Sequence, residues 1–231
     1  MPQHEWESLH HRLAKKYEFS FFSLEFQGEK FDLATVTNVD QLYDELIAKG
    51  PEHEDFRDER IPYWADLWHS GIGLADYILQ SSVCKDRTVL EIGCGLGLPG
   101  IAAARAGGKV TLTDYLPEPL AVAEMLWKMN LPGEPDLQQL DWRNPDPALA
   151  AEVLLASDVL YEERNMTPLL EVVDILMKPG GTMVLSDPGR PMIRTFIEKM
   201  EAKGFSVSET QVNVPFREVL TRVFIFEIRQ K

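Results

Sequence analysis

The sequence has few thiols and no long apolar run. Its two cysteines among 231 residues, Cys84 and Cys94, are too few for a disulfide framework and fit a reducing cytoplasm. No cysteines and histidines stand at zinc spacing, so no metal site is predicted. No run of about 18 apolar residues occurs, and the N-terminus is polar and acidic. We therefore expect a cytoplasmic protein with neither a membrane-spanning helix nor a secretory signal.

Positive charge is also scarce. The chain has 23 lysines and arginines against 37 aspartates and glutamates, which gives a formal net charge of −14. Such a chain repels a phosphate backbone, so no nucleic-acid partner is predicted. The acidity indicates either an ordinary soluble surface or attraction of a basic segment of another protein. Apolar residues make up 45%, which is enough for the core of one α/β domain with an extension.

Glycines cluster in residues 88–100, the stretch around which the chain is organised. A short apolar run, broken only by Glu91, leads into the glycines, and helix-forming residues follow. This pattern predicts a buried strand, a tight turn and the start of a helix. Glycines allow positive φ or a close approach to a ligand, and such a turn directs free N–H groups above the end of the strand.

Two cofactor classes use a turn of this kind. Residues 95–100 match the dinucleotide pattern G-x-G-x-x-G. Residues 91–97 place an acid, Glu91, two residues before Gly93, and Gly95 and Gly97 follow. This arrangement resembles motif I of the class I, seven-stranded S-adenosylmethionine methyltransferases. The resemblance implies that Glu91 lies near the methionine amino group of the cofactor and that the glycines pass under it. A tight turn without a ligand is the alternative.

An acid ends the next predicted strand. Residues 109–114 form this strand, and Asp114 lies 21 residues beyond Gly93. In either cofactor class, an acid at this place accepts hydrogen bonds from the ribose hydroxyls. The alternative is that Asp114 caps the following helix.

The pair Asp141-Trp142 separates the two cofactor classes. In the methyltransferases that the chain resembles, the segment after the third strand holds adenine. An acid there accepts from the exocyclic amine, and a flat apolar residue packs on the ring. Nicotinamide enzymes have no fixed acid–aromatic pair here. The strands also favour a methyltransferase, because five β/α units precede two alternating strands, 205–212 and 220–228, whose short connection predicts antiparallel pairing.

The predicted fold is therefore α/β, a Rossmann-like seven-stranded methyltransferase sheet with helices on both faces and an antiparallel terminal strand. We place this S-adenosylmethionine-binding domain at residues 61–231. Residues 1–60 are predicted to form a small α+β extension, with a hairpin and helices, that caps the domain. An acidic stretch at 51–60 connects the two, and a solvated connection is favoured there over a metal site.

The order of the motifs resembles that of methyltransferase family 16 over about residues 61–228. That family includes protein-lysine methyltransferases, among them the enzyme that acts on the β subunit of electron transfer flavoprotein. Besides the glycine turn and Asp114, the resemblance rests on residues 68–71, 141–142 and 158–161, the last matching the family's D-x-x-Y element. It implies an acceptor-side pair at Asp158 and Tyr161, and cofactor contacts at Trp68, Gly93, Cys94, Gly95, Asp114, Trp142 and Ser157.

Asp158 and Tyr161 are the predicted catalytic pair, and a protein lysine is the expected acceptor. Methyl transfer is an in-line displacement that needs a neutral, aligned amine, whereas a lysine amine has a pKa of about 10.4 in water. A desolvated channel lowers that pKa, so we expect Asp158 to orient the amine while Tyr161 closes the site. The alternative is that Asp158 caps the next helix and Tyr161 only packs. Arg190, after a later strand, either grips an anionic substrate group or belongs to a simple helix-start turn.

Two other functions stay open. The first is a small-molecule methyltransferase of the same fold. The second is a cofactor-binding interaction protein without activity, against which the presence of Asp158 and Tyr161 argues.

Overall fold

The N-terminal residues form a small α+β unit. The computed structural model describes residues 4–230. Its first elements are helix α1 (His4–Leu13), strands β1 (Phe19–Phe26) and β2 (Glu29–Val36), and helices α2 (Val39–Ala48) and α3 (Glu54–Arg57). β1 and β2 pair as an antiparallel hairpin. The turn residues Gln27 and Gly28 have φ of 53° and 74°, as a two-residue hairpin turn requires.

The later strands build one seven-stranded sheet. They are β3 (Thr88–Ile92), β4 (Lys109–Asp114), β5 (Asp136–Gln139), β6 (Ala151–Ser157), β7 (Met177–Asp187), β8 (Phe205–Phe216) and β9 (Val219–Gln230). Their order is β5-β4-β3-β6-β7-β9-β8. The pairs from β5 to β7 are parallel, whereas β9 is antiparallel to both of its neighbours. The predicted seven-stranded sheet with an antiparallel terminal strand is confirmed.

Helices cover both faces of this sheet. They are α4 (His69–Gln80), α5 (Leu98–Arg105), α6 (Pro117–Asn130), α7 (Met166–Leu176) and α8 (Pro191–Ala202). Along β6, Val153 and Leu155 belong to the buried cluster that contains residues of α4, α5 and α6. Leu154 and Ala156 belong to a second cluster with residues of α7 and α8. Successive strand residues thus point to opposite layers, which explains why β6 is apolar throughout its centre.

Asn130, the last residue of α6, joins the N-terminal hairpin to the sheet domain. Its side chain is 6% exposed, accepts a hydrogen bond from Asp32 N–H (3.0 Å) and donates one to Asp32 O (2.7 Å). The Arg105 guanidinium donates to Asn130 Oδ1 (3.2 Å) and lies 4.2 Å from the ring centroid of Phe31. Phe31 belongs to the same core cluster as α4, α5 and α6. The extension therefore shares the core of the sheet domain, and the division at residue 60 stays a prediction.

The last two strands are longer than the sequence predicted. Their register leaves only Arg217 and Glu218 in the turn. Both residues have left-handed φ, 47° and 63°, without being glycine. The usual glycine or asparagine signal of a tight hairpin is therefore missing, which explains why a longer loop was predicted. Within residues 4–230, no helix is both long and apolar enough to cross a membrane.

Candidate active site

One cavity of about 540 Å³ lies at the carboxyl ends of the parallel strands. Loops that follow β3, β4, β5, β6 and β7 contribute to its wall, because the carboxyl ends of parallel strands share one edge of the sheet. All of the predicted site residues except Glu91 line it. These are Trp68, Gly93, Cys94, Gly95, Gly97, Asp114, Asp141, Trp142, Ser157, Asp158 and Tyr161.

The glycine turn forms the floor of this cavity. Gly93, Gly95 and Gly97 have φ of 64°, 51° and 75°, values that residues with a side chain rarely adopt. At Gly93, a Cβ would lie only 3.1 Å from Cζ2 of Trp142, so a side chain there would displace the indole. The turn is also held from the neighbouring strand, because Cys94 N–H donates to Thr113 O (2.8 Å). Backbone rather than side chains therefore faces a ligand here.

Asp114 is fixed by backbone donors on both of its oxygens. Gly95 N–H donates to Oδ2 (3.0 Å), and Leu116 N–H donates to Oδ1 (3.3 Å). Desolvation raises the pKa of Asp114 to about 6, although these N–H groups oppose the shift. The N-cap position of α6 belongs to Leu116. The alternative role of Asp114 as the cap residue therefore does not apply, and its remaining lone pairs are available to a ligand.

Glu91 lies behind the glycine turn, outside the residues that line the cavity. Its side chain is 1% exposed, and its Oε2 accepts a hydrogen bond from Gly100 N–H (2.9 Å) at the start of α5. Its Oε1 has no hydrogen-bond partner among the described residues. Desolvation raises the pKa of Glu91 to about 8, so the carboxyl is largely protonated at neutral pH. Its contact with a cofactor stays a prediction.

Asp141 and Trp142 both line the cavity but differ in their partners. The Arg143 guanidinium binds Asp141 at both oxygens, with Nε at 2.9 and 3.1 Å and Nη2 at 2.9 Å. Asp141 is therefore less free to accept from an adenine amine than the sequence suggested. The buried Nε1–H of Trp142 has no acceptor among the described residues. A buried donor without a partner is costly, which makes this indole a candidate ligand contact.

The predicted acceptor side is built around an ion pair. The Arg190 guanidinium contacts the Asp158 carboxylate and also lies 3.3 Å from Asp187 Oδ2. Asp187 is 1% exposed, and its Oδ1 accepts from Gly189 N–H and Arg190 N–H, both at 2.7 Å. Asp187 thus builds the turn that begins α8 and fixes Arg190 at its N-cap. The sequence placed Arg190 on the substrate side but did not predict its pairing with Asp158.

Asp158 itself occupies an unusual backbone position. Its φ is 61°, and its N–H donates to Ser186 O on the neighbouring strand (3.0 Å). The next helical turn has its N-cap at Glu162, and the N-cap of α7 is Asn165. Asp158 therefore caps neither element. A left-handed non-glycine residue in a cavity wall is a feature that clusters at functional sites.

Three aromatic side chains form the mouth of the cavity. The rings of Tyr63 and Tyr161 meet edge to face with centroids 5.4 Å apart, and those of Tyr63 and Trp68 do so at 6.4 Å. Trp68 Nε1–H donates to Tyr63 O (2.9 Å). Each ring is 43–44% exposed. Tyr161 therefore lies at the entrance, as predicted for a residue that closes the site, although that role stays a prediction.

Several lining residues were not predicted. The main chain of Trp64 packs on the glycine turn, since a Cβ at Gly95 would lie 3.7 Å from Trp64 O. Trp64 and Trp68 are four residues apart in the sequence, and this spacing does not indicate which of them meets the glycines. Asp58, Glu59 and Arg60 also line the cavity, although their acidic stretch resembled a solvated connection. Charged residues outside any motif gave no signal of this placement.

These features fit the nucleoside and methionine parts of S-adenosylmethionine. The glycine floor has positive φ at three glycines, so it presents backbone rather than side chains there, Asp114 retains acceptor capacity, and Trp142 offers an unpaired donor. A sequence-family model described as lysine methyltransferase, methyltransferase family 16, matches residues 58–203, which is more than half of the chain. The chain belongs to this lysine methyltransferase family.

The individual relatives of this chain are named for different acceptors. Over 153 residues, the chain is 32% identical to histone-arginine methyltransferase METTL23 of Xenopus laevis, covering 60% of this chain and 64% of the relative. Over 154 residues, it is 30% identical to the electron transfer flavoprotein beta subunit lysine methyltransferase of Danio rerio, covering 62% and 55%. The chain thus spans less than two thirds of the length of these curated relatives.

A solved structure supports the fold. The ribosomal protein L11 methylase of Lactobacillus delbrueckii subsp. bulgaricus superposes with a TM-score of 0.57 at 18% identity, covering 72% of this chain and 81% of the methylase. At this identity the likeness concerns the fold alone. The predictions of a class I methyltransferase and of S-adenosylmethionine as cofactor are confirmed at the level of the family, whereas the roles of single site residues stay predictions.

Proposed function

We propose that this protein transfers a methyl group from S-adenosylmethionine to a lysine side chain of another protein. The observation that supports this most is that one cavity contains both the glycine turn with Asp114 and the group of Asp158, Arg190 and Tyr161. A cofactor held by the glycine turn and Asp114 and an acceptor held by the Asp158 group would therefore meet inside the same cavity.

The cofactor side needs only residues already fixed by the fold. Asp114 would accept from the ribose hydroxyls, Trp142 would pack against adenine, and Gly93 and Gly95 would allow the close approach of the methionine part. When bound, S-adenosylmethionine supplies an electrophilic methyl group on a sulfonium. The Asp141 carboxylate is already bound by Arg143. Asp141 would therefore help to hold the loop that carries Trp142 in place, rather than accept a hydrogen bond from adenine alone.

The acceptor side favours a neutral, oriented amine. A bare carboxylate beside a lysine would keep the amine protonated, but Asp158 is paired with Arg190, whose positive charge favours the neutral amine. Desolvation raises the pKa of Tyr161 to about 12, so its phenol stays protonated at neutral pH. Asp158 would hold an amine N–H, and Tyr161 would close the channel around the aliphatic stem.

The charge of the cavity wall supports a cationic acceptor that arrives from solvent. The wall contains seven carboxylates, Asp58, Glu59, Asp66, Asp114, Asp141, Asp158 and Glu162, against four guanidinium groups, Arg60, Arg143, Arg164 and Arg190. A wall with a net negative charge attracts a lysine and repels a phosphate backbone. We therefore also propose a protein rather than a nucleic acid as the partner.

The likeness to a histone-arginine methyltransferase motivates a second candidate, an arginine acceptor. A substrate guanidinium needs carboxylates that can bind it at two points. Asp158 already binds a guanidinium, that of Arg190, and Arg190 is held in turn by Asp187. This arrangement favours lysine over arginine as the acceptor.

The test uses radiolabelled S-adenosylmethionine with the purified protein and a cell lysate. S-adenosylhomocysteine should first raise the melting temperature of the purified protein while NAD does not, since a ligand of the folded state stabilises it. Labelled protein is then separated from small molecules and hydrolysed to amino acids. We expect labelled methyllysine, and Asp158→Asn serves as the control that should form it about 100-fold more slowly.

Each other outcome selects one alternative. Labelled methylarginine would favour the arginine acceptor, and label confined to the small molecules would favour a small-molecule methyltransferase of the same fold. Binding of S-adenosylhomocysteine without any labelled product would indicate a cofactor-binding protein that lacks activity. A thermal shift with NAD alone would contradict the proposed cofactor.

A further inference from the structure

Residues 58–60 lie over the cavity, although they precede the predicted methyltransferase domain. Asp58 Oδ2 accepts a hydrogen bond from the Tyr115 hydroxyl (2.6 Å), and its Oδ1 accepts one from Arg143 Nη1 (3.1 Å). The main-chain oxygen of Asp58 accepts from Arg164 Nη2 (2.9 Å). The three partners lie in the loops that follow β4, β5 and β6. Asp58 is thus contacted from three of the loops that line the cavity.

Tyr115 is the centre of this network. Its hydroxyl oxygen accepts from Arg60 Nη2 (2.9 Å) and Arg143 Nη2 (2.8 Å) while the hydroxyl donates to Asp58. The two guanidinium groups lie 5.1 and 5.0 Å from the centroid of its ring, within the range of cation–π attraction. The Tyr115 hydroxyl and the Arg143 guanidinium lower the pKa of Asp58 to about 2, so this carboxylate is charged at neutral pH.

The network adjoins the residues proposed to hold the nucleoside. Tyr115 directly follows Asp114, the proposed ribose acceptor, and Arg143 directly follows Trp142, the proposed adenine contact. Asp58 therefore joins the two loops between which a nucleoside would lie. Arg143 strengthens this connection because the same guanidinium also binds Asp141.

The segment before residue 58 has little apolar packing that would hold it in place. Helix α3 contains no buried residue, and Phe56 within it is 36% exposed. Glu59 has a left-handed φ of 50°, which turns the chain between Asp58 and Arg60. Apart from backbone hydrogen bonds to α3, which is itself exposed, the position of residues 58–60 therefore depends on their polar contacts with the cavity loops.

We infer that residues 58–60 form a strap over the nucleoside side of the cofactor site, and that Asp58 is the positioning residue that holds Tyr115 and Arg143 in place. This inference rests on the proposed cofactor. Residues 58–60, the first that the family model matches, would then belong to the binding site and would not be a passive connection. Loss of the Asp58 carboxylate should release the nucleoside faster without altering the glycine floor.

The experiment measures dissociation of S-adenosylhomocysteine and the affinity for adenosine, which is the nucleoside part alone. Asp58→Ala should speed the dissociation of S-adenosylhomocysteine about 10-fold and lower the affinity for adenosine by a similar factor, as expected for the loss of hydrogen bonds to a charged group. Glu54→Gln is the matched control, because Glu54 also binds Arg60 (2.8 Å) but its side chain is 76% exposed. Glu54→Gln should match the unsubstituted protein.

Further variants separate positioning from folding. Tyr115→Phe removes only the hydroxyl, which donates to Asp58 and accepts from Arg60 and Arg143. The double variant with Asp58→Ala should be no worse than the worse single variant if both residues act in one network. Asp58→Asn, which keeps the size of the side chain, replaces Asp58→Ala if the melting temperature of the free protein falls. Dissociation and adenosine affinity that do not change in the Asp58 variants, or an equal effect of Glu54→Gln, would overturn the strap. Failure of the unsubstituted protein to bind S-adenosylhomocysteine would instead overturn the proposed cofactor.

Discussion

The two halves of the cavity are built in different ways. On the cofactor side, backbone N–H groups and glycines do most of the positioning, and Asp114 takes its orientation from Gly95 N–H of the glycine turn and from Leu116 N–H of the loop that follows β4. On the acceptor side, charged side chains position one another, since Asp187 holds Arg190 and Arg190 holds Asp158. A site made from one local turn is visible in sequence, whereas a site made from side chains about 30 residues apart is not.

The comparison is tested most strongly at Asp158. Asp158→Asn keeps the size and tolerates the left-handed φ of 61°, but it removes the charge that faces Arg190. We expect methyl transfer to lysate protein to slow about 100-fold, because alignment terms are large in such reactions. Cofactor affinity, measured by calorimetry with S-adenosylhomocysteine, should be unchanged. Asp174→Asn, an exposed substitution that removes a pairing with Lys203, is the control.

Two results at Asp158 would contradict the division of the cavity into a cofactor half and an acceptor half. Near-normal turnover of Asp158→Asn would reject the acceptor role. Parallel loss of turnover and cofactor binding would place Asp158 in the cofactor half, and the two halves would then no longer be separate.

The cofactor half is tested at Asp114. Asp114→Ala removes a charged acceptor. The loss of hydrogen bonds to such a group should lower the affinity for S-adenosylhomocysteine about 10- to 100-fold. Trp142→Ala should also weaken binding, because a ring contact is lost. Asp136→Ala, on the exposed strand β5, is the calorimetric control. Unchanged affinity in both site variants would mean that the ligand binds elsewhere.

The pH dependence of binding sharpens the role of Asp114. Its pKa is raised to about 6 in the free protein, so the carboxylate that accepts from ribose is lost as the pH falls through that value. Affinity for S-adenosylhomocysteine should therefore fall about 10-fold between pH 7 and pH 5. Asp114→Asn should bind more weakly at pH 7 and should lose most of this dependence. An equal slope in both proteins would assign the titration to another group.

The last prediction concerns the stability of the fold rather than ligand binding, at Glu91. Folding raises the pKa of Glu91 from 4.5 to about 8, so the folded state retains a proton that the unfolded state loses. The free energy of unfolding therefore falls as the pH rises from about 4.5 to about 8. Glu91→Gln has no such proton to lose, so its melting temperature relative to that of the parent should rise by about 10 °C from pH 5 to pH 8, since about 3 kcal/mol of stability is lost from the parent over that range. A constant difference would mean that Glu91 ionises without cost in the folded protein.

Much of the sheet domain could be predicted from sequence because its signals are local. The sequence predicts a helix from Pro117 to Asn130, and helix α6 has these bounds, with Pro117 in its first turn. β7 differs from the sequence prediction at its start. Pro179, Gly180 and Gly181 predict a break before a strand that begins at Thr182, whereas the observed strand begins at Met177. The pairing of Ala151 with Met177, ahead of a register shift, explains this extension, and such tertiary pairing leaves no mark in a sequence window.

The candidate site could be predicted as far as its motifs reach. Gly93, Asp114 and Asp158 stand at fixed places after their strands, and the structure brings them to one cavity. Tyr63 and Asp58 reach the same cavity from elsewhere in the chain, and no spacing rule connects them to it. Arg190 was noticed only as a charge at a strand end, because an ion pair with a residue 32 positions away depends on the tertiary fold.

The contact between Asn130 and Asp32 has a consequence for the order of folding during synthesis. The two residues are 98 positions apart, so the hairpin is made long before the end of α6 that fixes it. A two-stranded hairpin alone is only marginally stable in water, and contacts between distant residues form slowly. The hairpin should therefore become ordered only once α6 has been synthesised, well after its own residues have left the ribosome.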